Sequence, residues 1–306
     1  MKVAFKNYVS ELKMRLFNKL ALHLGGAPTR YRPVSSLNHF FDQISFLNLD
    51  RRPDRLRNME AQQAHFGFRA SRVSAVDGQE GAIRREYEAF LGRYGKELGT
   101  QRPGKLTDRI TDHSARIALE DHRNGGPCLG SAGAWAYLRT QELILEQAIE
   151  SGAESLLLLD DDALFHEDLY THFNLSIARL PPDWKILQLG TLRYNWSRWS
   201  TRFYSPGLLQ QGRSIGSHAV GLHREVFPVL LDLVRKFDSP FDIGALSTLA
   251  CMYKSRSFVC MPQLCVQSFA DTDIQQSGSV HFSETRRLYQ KICWNRSDFW
   301  PPEPEL

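Results

Sequence analysis

Leu156, Leu157, Leu158 and Leu159 run without a polar break into Asp160, Asp161 and Asp162, and the chain turns apolar again at Ala163, Leu164 and Phe165. An unbroken apolar run behind a helical segment is the pattern of a strand buried on both faces, as in the middle of an α/β sheet. The acids then stand at its C-terminal end, where open α/β sheets place their ligands. Adjacent carboxylates repel one another, and holding them beside a hydrophobic core is costly unless water, a cation or hydrogen-bond donors compensate. Oxygen-only ligands suit Mg²⁺ or Mn²⁺, which are commonly held by one or two carboxylates together with substrate phosphates. The competing reading is a solvated acidic turn that follows a core strand.

At 306 residues the chain is long enough for one large α/β domain or two small ones, and it shows no internal repeat. Its formal charge of +4 is localised: residues 1–36 hold 7 basic and 1 acidic side chains, which leaves 31 basic and 33 acidic in the remainder. A nearly neutral body lacks the clustered phosphate neutralisation on which nucleic-acid binding rests, so no nucleic-acid partner is expected. Cys128, Cys251, Cys260, Cys265 and Cys293 are odd in number and show no CxxC spacing. Zinc and disulfide frameworks are therefore not expected, and reduced thiols in a cytoplasm fit better.

Residues 2–22 set Val3, Phe5, Tyr8, Val9, Leu12, Leu16, Phe17 and Leu20 among Lys2, Lys6, Lys13, Arg15 and Lys19, which reads as a basic amphipathic helix. Such a helix fits a peripheral contact with the inner face of an anionic membrane, and fits equally well packed on its own protein. No apolar stretch approaches the roughly 20 residues needed to cross a bilayer, and Leu20 to Leu24 is a poor signal-peptide core. The expected organisation is a basic segment over 1–36, a main domain over 40–295 and a tail over 296–306.

After a Gly/Pro-rich connector, Ile44 to Leu49 reads as a first strand. A helix follows from Pro53 to Gly67, with Asp50 near its cap. Arg72 to Val76 reads as a second strand that closes at the turn pair Asp77 and Gly78. The charged residues 79–126 are read as an insertion, helical at Ile83 to Leu91. Ala134 to Ile149 has a helical period ended by Gly152, before the leucine strand. Strands are expected at Trp184–Leu189, Ala219–Leu222 and Phe258–Met261, and helices at Val226–Phe237 and Ile243–Tyr253. This alternation implies an α/β fold with a Rossmann-like, mainly parallel sheet and helices on both faces.

The run Ile44 to Arg55 (ISFLNLDRRPDR), followed by Val76, Asp77 and Gly78, resembles the opening of glycosyltransferase family 25. That family includes bacterial lipooligosaccharide galactosyltransferases and collagen galactosyltransferases. Pro127 to Ser131 (PCLGS) is similar to its Gly-Cys-x-x-Ser-His block, and Leu156 to Ala163 (LLLLDDDA) to its apolar strand ending in Glu-Asp-Asp-Ala. Ser217 to Leu222 and Phe241 to Asp242 resemble later segments. The resemblance implies a GT-A type fold, a UDP-sugar donor, most commonly UDP-galactose, and Mn²⁺ or Mg²⁺ bound through the acids. It makes Asp162 the main carboxylate ligand of the metal, and gives Asp160 the ribose or a metal-bound water. Asp161 points away between them, and Asn48, Asp50 and Arg55 border the nucleotide pocket, with Asp77 and Ser131 in the matched blocks beside them. Helix capping and a surface ion pair are the plain alternatives for Asn48, Asp50 and Arg55.

The chain departs from the family pattern at Ala132, where the block carries histidine, and at Asp160, where it carries glutamate. His113 or His122 could supply the missing imidazole. The inverting chemistry needs a carboxylate to take the acceptor hydroxyl's proton. Asp242 is the candidate, with Asp271 and Asp273 competing and a helix cap as its plain alternative. His281 is the candidate late metal ligand. The segment Arg193 to Tyr204, with Tyr194, Trp196, Trp199, Phe203 and Tyr204, is dense enough in rings for an acceptor-sugar platform, although core packing would also account for it. The acceptor would be a glycan or lipid-linked glycan. A glycan- or nucleotide-binding protein without turnover, and a metal-dependent nucleotidyltransferase, fit the same acids.

Overall fold

The computed structural model describes residues 31–98, 131–192, 201–212, 216–236, 239–268 and 296–301, with Leu16, Leu20 and Leu129, and gives the backbone alone for 93–98 and 243. The N-terminal half runs β1 (Gln43–Asn48), α1 (Pro53–Phe66), β2 (Ser71–Ser74), α2 (Gly81–Leu98), α3 (Ala132–Glu150) and β3 (Ser155–Asp160). It continues through β4 (Ala163–Phe165), α4 (Leu169–Ile177), β5 (Ile186–Gln188), β6 (Thr201–Ser205), β7 (Leu208–Gln211) and β8 (Ala219–His223). The last elements are α5 (Phe227–Arg235), a π-helical turn (Asp242–Leu246), α6 (Ser247–Met252), β9 (Ser257–Cys260) and β10 (Cys265–Gln267).

The leucine run behaves as its pattern requires. Side chains alternate across a strand, so Leu157 and Leu159 enter one core with Ile44 and Phe46 of β1, Met59 and Phe66 of α1, and Phe173 and Ile177 of α4. Leu156 and Leu158 enter a second core with Leu138, Ile144 and Leu145 of α3 and with Leu230, Leu231 and Val234 of α5. The sheet is thus covered by helices on both faces, and β3 is buried from Ser155 to Leu159. The α1 helix starts with Pro53 in its first turn and stops at Gly67, whose φ of 65° closes the last turn with an N–H to the Gln63 carbonyl.

The main sheet has eight strands in the order β2-β1-β3-β8-β5-β9-β7-β6. β1 is parallel to both β2 and β3, and β5 is parallel to β9, whereas β8 and β7 are antiparallel to their neighbours. Six strands therefore point one way and two the other, so the sheet is mainly parallel in direction. The reversal of β8 has a consequence: its first residue, Ala219, lies opposite Leu159. The segment entering β8 therefore arrives at the acidic end of β3. A second sheet pairs β4 with β10, with Ala163 opposite Gln267. The other edge of β4 is closed by Gln62 of α1, fully buried. It donates to the Ala163 carbonyl and accepts the Phe165 N–H at 2.9 Å.

Several boundaries differ from the sequence reading. Asp50 does not cap α1: the N-cap residue is Arg52, which makes no side-chain capping bond, and Asp50 accepts instead from Arg72 and Ser74. The helix expected at Ile83–Leu91 is longer, Gly81–Leu98, while 99–126 lies outside the described residues. Of the expected tail over 296–306, the described residues 296–301 pack on the domain. Phe299 is buried, Trp300 donates its N–H to the Phe165 carbonyl at 2.9 Å, and Glu167 donates to the Asp298 carbonyl at 2.9 Å. Two large rings have apolar surface to bury, and they find it beside β4 and α1. Of the basic segment, only Leu16 and Leu20 are described, both helical and exposed. Among the described residues no helix is long and apolar enough to cross a membrane, and Cys251, Cys260 and Cys265 are free thiols.

Replacing Gln62 by Leu leaves the Ala163 carbonyl and the Phe165 N–H buried without their partner. The expected loss of stability is about 2–4 kcal/mol, read from urea unfolding. A loss below about 0.5 kcal/mol would show that the glutamine is dispensable for β4.

Candidate functional site

β1 and β3 are parallel neighbours, yet the chain leaves β1 through α1 toward β2, on the opposite side from β3. That divergence makes a topological switch point, and the crevice beyond it is where open α/β sheets take ligands. The register puts Leu47 opposite Asp160, so Asn48 and the acidic run project together at this crevice.

The three acids have different surroundings. Asp161 is buried and turned toward β1 and α1: Asn48 Nδ2 donates to its Oδ2 at 2.8 Å and Arg55 Nη1 to its Oδ1 at 2.9 Å. Arg55 also approaches Asp162 Oδ2, at 3.7 Å. Asp162 is buried too and accepts from Gln267 Nε2 at 3.0 Å, and its carbonyl takes the Ser268 N–H at 2.7 Å. Asp160 turns the other way, toward α3, where Tyr137 donates its hydroxyl to Oδ1 at 2.8 Å. The same phenol oxygen lies 3.0 Å from Ser217 Oγ, on the segment that enters β8. Asp160 keeps partial solvent access, but its carboxyl is pushed up to about 8, first by desolvation and then by the Asp162 charge, against the lowering effect of the Tyr137 bond. The Tyr137 hydroxyl is itself raised, by burial and then by the Asp160 charge.

Asp242 joins this group from the other side. Its carboxylate is close enough to raise both Asp160 and Tyr137, and the Phe241 ring meets the Tyr137 ring edge-on at 5.9 Å. Asp242 does not cap the helix that follows. Its Oδ2 accepts the Gly216 N–H at 3.0 Å, and the π-helical turn has no side-chain cap bond. Gly216 sits at φ 93°, and an added Cβ would fall 2.9 Å from Leu192 Cγ, so this donor is held by a backbone only glycine adopts easily.

The remaining expected positions lie around the rim. Asp50 is exposed and paired with Arg72, which also donates to Asn48 Oδ1 at 2.9 Å. Asp77 pairs with Arg51 at 2.7 Å and accepts the Gln79 N–H. Ser131 caps α3 by accepting the Ala134 N–H at 3.1 Å. The turn after β2 packs tightly on that helix start, because a Cβ on Gly78 would lie 2.6 Å from the Gly133 nitrogen. The β1, β2 and α3 blocks therefore meet. Arg55 is an ion-pair residue as its plain reading had it, but a buried one, with 12% of its side chain exposed.

His281, Asp271, Asp273, His113 and His122 lie outside the described residues, as do 193–200 of the aromatic segment. The described part of that segment forms β6, the far edge strand, where Phe203 and Tyr204 are exposed and the Tyr204 ring packs on Phe258. Five strand spacings separate β6 from β3, roughly 24 Å, so these two rings do not adjoin the acids. Sequence reasoning missed Tyr137, Gln267 and His218. Tyr137 looked like one more inward position of a helix, and no sequence spacing links it to Asp160. His218 is buried and neutral, its pKa lowered to about 4 by desolvation, and its carbonyl accepts the Asp160 N–H at 3.0 Å. Ser217 was within a matched block but had no assigned role.

No protein-family model matches the sequence, and no curated protein matches it. Among solved structures, a similar one is described as a glycosyltransferase involved in the glycosylation of the major capsid of PBCV-1. The likeness covers 82% of this chain and 100% of that one, at 10% identity and a TM-score of 0.36. A likeness of that size assigns neither fold nor chemistry. The α/β class rests on the sheet described above, and the resemblance to family 25 rests on the motif residues alone.

The raised Asp160 carboxyl predicts a pH dependence. Between about 4 and about 8 the unfolded chain has released this proton and the folded chain retains it, so in EDTA the stability that this group contributes is present at low pH and is lost as pH rises to about 8. Asp160→Asn cannot titrate. Its melting temperature relative to the native protein is expected to rise steadily from pH 4 to 8 in EDTA, and a flat difference would contradict the shift.

Proposed function

We propose that this protein is a metal-dependent glycosyltransferase of GT-A type that moves a hexose from a UDP-sugar to a hydroxyl of a glycan or lipid-linked glycan acceptor. Galactose is the sugar implied by the family 25 motifs. The observation that carries the reading is the meeting of Asp160 and Asp162, at the end of β3, with Asp242, from the turn before α6, at the switch point of the sheet. A nucleoside diphosphate is the kind of ligand that such a crevice accepts.

The donor set fits a hard divalent cation: the oxygen groups that converge are carboxylates, a phenol and a hydroxyl. Asp160 and Asp162 would hold Mn²⁺ or Mg²⁺, with His281 as a further ligand. Bound there, the ion would stabilise negative charge on the departing diphosphate as a Lewis acid. The chain's own residues account for the rest. Tyr137, braced by Ser217, orients Asp160, while Asn48 and Arg55, at the border of the nucleotide pocket, engage Asp161 and keep its charge compensated. Asp242, oriented by the Gly216 N–H, takes the proton from the acceptor hydroxyl as that oxygen bonds to the anomeric carbon and the bond to the diphosphate breaks, with inversion. Asp50, Asp77 and Ser131 lie around the nucleotide end of the crevice. Residues 2–22 would bring the enzyme to a cytoplasmic membrane face where a lipid-linked acceptor is presented.

Ala132 favours a second reading, a relative that binds nucleotide or glycan without turnover. It opens α3 beside the Asp77–Gly78 turn, where the motif carries histidine.

Incubation with Mn²⁺ and either a set of UDP-sugars or UTP with a hexose 1-phosphate separates the possibilities, since sugar transfer or hydrolysis releases UDP from the UDP-sugars, nucleotidyl transfer releases pyrophosphate from UTP and a pure binder releases neither. The expected outcome is UDP release abolished by EDTA and reduced on the order of 10³-fold in Asp162→Ala. In Asp242→Asn, transfer is expected to fall on the order of 10²-fold or more with donor binding retained. Loss of donor binding in that variant would remove Asp242 from the role of base.

A further inference from the structure

Leaving β4, the chain passes directly into His166, Glu167 and Asp168 and then into α4. We propose that His166, Asp168 and His172 form a second metal site, distinct from the aspartate crevice and suited to a divalent transition metal of the zinc type. One ligand atom from each residue lies within 4.8 Å of one from each of the others. The grouping follows from local geometry. Asp168 is the N-cap residue of α4, and His172 donates its backbone N–H to the Asp168 carbonyl at 3.2 Å, so the two side chains share the face of the first turn. His166 precedes them by two residues, anchored through its N–H to the Leu264 carbonyl at 3.0 Å. Its ring stands edge-on to that of His172, with centroids 5.0 Å apart.

A second observation points to a ligand. Nδ1 of His172 is buried, and among the described residues it has no hydrogen-bond partner. A buried ring nitrogen without a partner is unfavourable, and a metal bond satisfies it. Imidazole with one carboxylate is a donor set for zinc and its transition-metal neighbours rather than for Mg²⁺. Bonds of about 2.0–2.2 Å in a tetrahedral site set ligand atoms about 3.4 Å apart, so the three side chains must close in. Asp168 is exposed and free to swing inward. The Asp168 N–H now donates to His166 Nδ1 at 3.0 Å. Ligation through either nitrogen of that ring gives up this bond and leaves the N–H to water at the open first turn. The site would be a structural clasp. It joins the end of β4 to α4, against the segment in which Phe299 stacks edge-on to His166 at 5.4 Å and Asp298 receives the Glu167 N–H. The sequence reading had weighed zinc against cysteine spacing alone, and so passed over this HxDxxxH run.

The inference does not depend on the proposed activity. The test is Zn²⁺ titration of the full-length protein by calorimetry after EDTA treatment and desalting, with Co²⁺ absorption spectra as the report on ligand type. Asp162→Ala separates this site from the aspartate crevice. One equivalent of Zn²⁺ is expected to bind the native protein and Asp162→Ala alike, to raise the melting temperature of both, and to bind His172→Gln about 100-fold more weakly. Asp168→Asn, at an exposed position with little bearing on folding, is expected to weaken it at least about 10-fold. Absence of Zn²⁺ binding in the native protein, loss of it in Asp162→Ala, or unchanged affinity in Asp168→Asn would each overturn the proposal.

Discussion

A strand that is apolar to its last residue and then turns abruptly anionic sets the terms for everything around it. Carboxylates at the edge of a dry core are unfavourable unless each is given a partner, and much of the machinery near the crevice serves that need. Asn48 and Arg55 attend Asp161, Gln267 attends Asp162, and Tyr137 attends Asp160. These partners come from β1, α1, β10 and α3, so the acids tie together elements on both faces of the sheet. The compensation is uneven. Asp161 has a guanidinium, whereas Asp160 is desolvated and faces the charge of Asp162 with only a phenol to offset them, so its carboxyl resists ionising.

The topology makes this unevenness useful. Because β8 runs against β3, the segment carrying Gly216, Ser217 and His218 returns to the acidic end and not to the far side of the sheet. Ser217 braces the phenol, the Gly216 N–H fixes Asp242, and the His218 carbonyl holds the Asp160 N–H. A wholly parallel strand at this place would deliver its C-terminal end there instead, and the three backbone-proximal contacts would be lost. The small β4–β10 sheet has the complementary task of fixing Asp162, with Gln62 closing its open edge.

What could be read in the sequence was what local pattern encodes. Four leucines imply burial on both faces and the structure divides them between two cores. Gly67 ends a helix because it accepts a positive φ, whereas Asp161 and Asp162 lie in the turn after β3 and both approach Arg55, so the alternation expected of extended backbone stops at Asp160. The antiparallel sense of β8 could not be read, since strand direction depends on where the intervening chain runs and not on the strand's own residues. Tyr137 was hidden for a similar reason: its partner Asp160 is 23 positions away, and a tyrosine on the inward face of a helix has the same apolar signature whether its hydroxyl is used or not. Asp50 was misplaced as a cap because the nearby Arg72 and Ser74, from the next strand, compete for it.

The central claim is that the Asp160–Asp162 end of β3 binds a nucleoside diphosphate through a divalent cation. Calorimetric titration of UDP into the native protein tests it most directly, once with Mn²⁺ and once with EDTA. The account predicts saturable UDP uptake that requires Mn²⁺. Equal UDP affinity under both conditions, or no uptake of UDP with Mn²⁺ present, would contradict it.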